Sequence, residues 1–166
     1  MKKMTALLLS GALLLLAGCG NGAVSAAGGE PTRSENDLLW NEFVLEIAAK
    51  LNEQPCPLNP VQKNAAIVSA YINHCCNGGH LDFFDSWDFS EGENTFLVQE
   101  VEEALAAVGA QKYIQPFRSA ARHIGEEDYE FEREDEAFDD SALTDILYQF
   151  VLANQEEIFG AGRAGG

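Results

Sequence analysis

Apolar side chains recur along most of this chain at helical spacing. Leu39, Trp40, Phe43, Val44, Ile47, Ala48 and Leu51 form a stripe at i, i+4, i+8, which predicts a helix over 34–52 with Ser34 and Asp37 at its start. Pro55, Pro57 and Pro60 make 53–60 a connector. Asn59 then caps a second helix, and Pro60 suits its first turn, where no amide hydrogen is needed. Ala65, Val68, Tyr71, Ile72 and Cys75 are its inner face, and Asn77, Gly78 and Gly79 stop it, because these residues tolerate positive φ. Leu81, Phe83, Phe84, Trp87 and Phe89 form the densest aromatic cluster, read as a short helix before a loop at 90–94. A helix over 95–108 turns Phe96, Leu97, Val101, Leu105 and Val108 inward, and Gly109 closes it. Another covers 111–124 through Ile114, Phe117, Ala121 and Ile124, with Pro116 marking a kink or a start. The last, over 141–158, carries Leu143, Ile146, Leu147, Phe150, Val151 and Ile158. Nothing alternates with period two, so the expected fold is all-α: a bundle of five to six helices over 34–159, followed by a disordered tail at 160–166.

The N-terminus has a different pattern. Lys2 and Lys3 precede an apolar stretch from residue 7 to residue 16, too short for a membrane span of roughly 20 residues. This is the layout of a secretory signal. It ends in Leu16, Ala17, Gly18 and Cys19, which resembles the bacterial lipoprotein box. That resemblance implies a signal peptide at 1–18 and lipid attached to Cys19, with the protein held on an envelope membrane outside the cytoplasm. Residues 19–33, rich in Gly, Ala, Ser and Asn, read as a flexible tether.

Charge narrows the function. Ten Lys and Arg stand against 27 Asp and Glu, a net −17. Phosphates would be repelled, so direct nucleic-acid binding is excluded, and docking on anionic lipid through a basic surface is disfavoured. The 46 % hydrophobic content still suffices for a core. The acids concentrate at 126–140, with ten acids and one Arg. As a helix these residues would span about 22 Å, over which duplex DNA carries about 13 charges. The interleaved Tyr129, Phe131 and Phe138 argue for partial packing. The candidate partner-binding residues are Glu127, Asp128, Glu130, Glu132, Glu134 and Asp135, expected to be solvated. The plain alternative is an acidic surface that only aids solubility.

Other chemistry is thin. His74, Cys75, Cys76 and His80 cluster around the double glycine, but adjacent helical residues diverge and no Cys₂His₂ spacing appears, so surface histidines at a helix end and no metal are expected. Asp82, Asp85 and Asp88 fail the calcium-loop pattern. Cys56 pairs with Cys75 or Cys76, or all three are small buried side chains. Cys75 or Cys76 with His80 is the one nucleophile–base suggestion, and there is no phosphate-cradling loop. No cofactor and no enzymatic activity are expected.

Three stretches resemble a known family: residues 71–79 followed by Phe83 and Phe84, Ala104 and Leu105 leading to Val108, Gly109 and Ala110, and the end from Asn154 to Phe159. Together they are similar to the C-terminal domain of the bacterial DNA mimic proteins of the nineteen-kilodalton type. The resemblance implies an all-helical acidic domain, a homodimer, and a partner that itself binds DNA. It assigns Asn77, Gly78 and Gly79 a structural turn, where glycine permits a tight reversal and close approach. The export signal departs from that family and separates the chain from any cytoplasmic transcription factor. The expected function is an exported, lipid-anchored acidic domain binding a basic protein, as an inhibitor or immunity protein does. The rival is an envelope lipoprotein with a structural or small-ligand role.

Overall fold

The structure is a computed structural model that describes residues 35–53, 55–87, 94–126 and 128–160. The signal segment, Cys19, the tether, the segment 88–93, Glu127 and the residues beyond Gly160 lie outside the described residues. Helix α1 (Glu35–Glu42) runs on through a π turn (Phe43–Ile47) and a 3-10 turn (Ala48–Asn52). Its pitch changes twice where the sequence predicts a regular helix, yet the stripe still faces inward. Phe43 is fully buried, with Trp40, Val44, Ile47, Ala48 and Leu51 packed around it.

Helix α2 (Pro60–Ser86) begins with a reciprocal cap: Asn59 Oδ1 accepts from the Gln62 amide at 2.9 Å and Gln62 Oε1 accepts from the Asn59 amide at 3.0 Å. It is two helical arms, broken at Gly79 (φ 73, ψ −169). Helix α3 (Asn94–Ala107) ends before Gly109, whose φ is 86. Helix α4 (Gln111–Ala121) passes through Pro116, where the sequence suggests a kink or a start. The ring removes only the hydrogen bond to the Lys112 carbonyl, and both residues are exposed, so water replaces it. Helix α5 (Glu132–Glu136) is a single short turn. The expected last helix divides at Asn154 into α6 (Asp140–Ala153) and α7 (Gln155–Phe159).

The fold is all-α, with no strand among the described residues. The described residues form seven α-helices rather than five or six, because the two five-residue turns α5 and α7 are too short to show an apolar period. Helix α2 is the axis of the core and packs against α3 and α6. Tyr71 sits at its centre, with edge contacts to Phe83, Phe117 and Phe138 at centroid distances of 5.0, 5.4 and 5.2 Å. Each such ring removes a large apolar area from water, on the order of 2–3 kcal/mol per side chain. No described helix is long and apolar enough to cross a membrane.

Candidate functional site

The acidic segment folds back onto the kink of α2, and its carboxylates divide into two sets. Asp135 is the main anchor. Its Oδ1 accepts from the His80 amide at 2.9 Å and from His80 Nδ1 at 2.6 Å. The His80 ring is only 1 % exposed, enclosed by Phe84, Phe131 and Phe138, and its Nε2 shares a 2.8 Å hydrogen bond with the Tyr71 hydroxyl. Burial holds the Tyr71 phenol well above its ordinary pKa, and the neighbouring Cys75 adds to this. Gly79 makes the contact with Asp135 sterically feasible, since a Cβ there would stand 2.3 Å from Asp135 Oδ2.

Four more acids are hydrogen-bonded to protein groups, and of these Glu134 is buried while Glu126 and Asp139 stay exposed. Glu134 is 7 % exposed, and both its oxygens lie 3.2 Å from the Tyr129 hydroxyl. Glu126 Oε2 meets His123 Nδ1 at 3.1 Å. Asp139 caps α6 by accepting from the Ala142 amide at 3.0 Å. Cys76 Sγ donates to Asp140 at 3.4 Å. The second set, Asp128, Glu130, Glu132 and Glu136, is exposed, and none of them forms an ion pair among the described residues. The result is a segment pinned by its hydrogen-bonded carboxylates, of which Glu134 is buried, with the other acids free of such bonds among the described residues and facing solvent. Anchoring the backbone in this way places the exposed charges more closely than a free tail would.

Of the six residues read as partner-binding, Asp128, Glu130 and Glu132 are exposed on this segment and Glu127 lies outside the described residues. Glu134 corrects the expectation of solvation, being buried against Tyr129, while Asp135 stays part-exposed with its Oδ1 taken by His80. Glu136 is an exposed acid that the sequence reading passed over. In the turn motif, Gly79 carries the positive φ, while Asn77 Nδ2 donates to the Asn73 carbonyl at 2.7 Å and Gly78 packs on Asp82. His80 is a core residue rather than a surface histidine. A histidine directly before a dense aromatic cluster is the signal that marks it, but its partner lies 55 residues away.

No disulfide joins Cys56, Cys75 and Cys76 among the described residues, and Cys76 is exposed rather than buried. Burial, followed by the Asp135 charge, holds the Cys75 thiol well above its ordinary value of 9.0. Both nitrogens of His80 are engaged, so His80 offers Cys75 no base. His74 pairs with Asp82 at 2.6 Å. No group of three or more His, Cys, Asp or Glu side chains is disposed to hold a metal among the described residues.

Residues 56–161, which hold 21 acids against five basic residues, match the family model of DMP19-like proteins. The chain belongs to the DMP19-like family. No curated protein and no solved structure matches it. The DMP19-like family is one of DNA mimic proteins, which suggests a protein-interaction role and protein partners that bind DNA; the family is not known as enzymatic.

Proposed function

We propose that this DMP19-like domain binds a basic protein through the outward carboxylates of the acidic segment, and that Cys19 carries lipid that holds the domain in the cell envelope. The observation that carries the reading is the division of the acidic segment into anchored and presented carboxylates. A charge run kept only for solubility needs no fixed geometry. Here Asp135 and Glu134 tie the segment to His80 and Tyr129 and Asp139 caps the helix that follows, so the backbone that carries the exposed Asp128, Glu130, Glu132 and Glu136 is held in place. A basic DNA-binding surface recognises that kind of array, because it is built to neutralise regularly spaced phosphates.

The test replaces the presented set alone: Asp128→Asn, Glu130→Gln, Glu132→Gln and Glu136→Gln. Stability should change by less than about 1 kcal/mol, because these groups are solvated and like-charged. The association rate with basic proteins captured from envelope extract should fall about tenfold, and wild-type binding should weaken steeply with salt. Unchanged binding with a flat salt response leaves the charge to solubility and favours the structural lipoprotein reading. Fatty-acid labelling that is equal in wild type and Cys19→Ala refutes the anchor.

A further inference from the structure

Beside the acidic segment lies a recess of about 300 Å³ formed between the second arm of α2 and residues 123–126 with Tyr129 and Phe131. Its walls are aromatic. Phe84 and Phe131 pack at 5.5 Å, and Tyr129 lies against Phe131 edge-on at 5.0 Å. His123 is stacked flat on Tyr129 at 3.6 Å. Two of the rings are held by carboxylates, Tyr129 by the buried Glu134 and His123 by Glu126, which itself lines the recess. Leu81, 53 % exposed, also lines the recess and presents an apolar edge to solvent. The charged groups lining it are the carboxylates of Asp85 and Glu126. His123 is already paired with Glu126, and Arg122, exposed and next in the chain, is not part of the lining.

We infer that this recess is a subsite for a guanidinium side chain, the arginine of a basic partner. The inference rests on the reading proposed above and adds the chemistry of the group recognised. The volume is at the lower end of the range for ligand sites, roughly 300–1,000 Å³, which suits one side chain rather than a cofactor. An arginine has an apolar stem to cover Leu81, a planar head that stacks on aromatic rings, and a fork of donors for carboxylates. Lysine has the charge and the stem but lacks the flat fork. The outward carboxylates draw the partner in by long-range attraction, and the recess holds one of its side chains by contact.

The probe is Nα-acetyl-arginine amide, titrated at low ionic strength into the full chain and followed by chemical-shift changes. Its uncharged isostere, the citrulline amide, and the lysine amide serve as controls. Arginine amide should shift His123, Tyr129, Phe84 and Phe131 in a saturable manner, and citrulline amide should not. Asp85→Asn combined with Glu126→Gln should weaken the arginine response at least tenfold while the remaining spectrum keeps its dispersion. The four-carboxylate variant should keep arginine affinity within about threefold, as expected of screened charges outside the recess. Equal shifts from citrulline or lysine amide overturn the guanidinium assignment, and so does an unchanged response in the double variant. If partner association depends on the four carboxylates and arginine amide leaves the recess unshifted, the subsite is refuted while the wider reading stands. If arginine amide binds as described and partner association ignores the four carboxylates, the subsite is supported and the wider reading fails.

Discussion

Gly79→Ala should be far more costly than an ordinary glycine substitution, because two independent penalties fall on one atom. The first is backbone strain. With φ 73 and ψ −169, Gly79 occupies a region essentially reserved for glycine, and a side chain there costs on the order of 1–3 kcal/mol. The second is steric. The new methyl would lie 2.3 Å from Asp135 Oδ2 and 2.8 Å from Cγ, so the carboxylate must swing away. That breaks its hydrogen bonds from the His80 amide and Nδ1, and a bond to a charged group is worth about 1.5–3 kcal/mol. Asp135 is 38 % exposed, so water recovers part of the loss, and one such bond is the fair count. The total is about 2.5–6 kcal/mol against a whole-domain stability of about 5–15 kcal/mol. Gly109→Ala is the control: its φ is 86, but nothing lies within 4 Å of the added carbon. It should cost only the left-handed penalty of about 1–2 kcal/mol. Guanidinium unfolding followed by far-UV circular dichroism measures both, with the m-value checking that the unfolded state is unchanged. In an Asp135→Ala background the clash is gone, so Gly79→Ala should fall to its strain term, giving a coupling of about 1.5 kcal/mol or more. A Gly79→Ala no more damaging than Gly109→Ala, or strict additivity with Asp135→Ala, would refute the argument.

Alkaline stability follows from Cys75 and Tyr71, whose protons are held in the fold beyond their ordinary values of 9.0 and 10.0. The unfolded chain releases those protons first, so stability is complete below about pH 9 and then declines by about 1.4 kcal/mol per pH unit per group; melts that are flat from about pH 8 to about pH 11 would contradict this. Asn59→Ala removes the cap of α2 and the bond from Asn59 Nδ2 to the Glu157 carbonyl at 2.8 Å, a loss of about 1–2 kcal/mol. Hydrogen exchange should then accelerate in α7 as well as at the start of α2, whereas acceleration at α2 alone would show that the cap does not hold the C-terminal turn.

Local chemistry was legible in the chain. The stripes over α2, α3 and α6 and the Asn59 cap followed by Pro60 are short-range features, and each determined its element because its partners lie within about one helical turn. The glycines of the kink were also legible as a place where the chain reverses. The count of acids in the segment 126–140, and hence a strong negative field, needed no structure at all. What the sequence did not determine was which acids face the solvent. Glu134 and Asp135 are neighbours of the same charge class as Glu132 and Glu136, and only their contacts with Tyr129 and with His80 separate them. The Asp135–His80 contact spans 55 residues, and the recess is built from two segments about 40 residues apart, so no local window contains either of them. The sequence determined the helices and the charge because those follow from composition and period. Tertiary structure decided which carboxylates anchor the segment and which stand free in solvent, because the groups that bind the anchoring ones, the His80 edge and the Tyr129 hydroxyl, are in place only once the helices have packed.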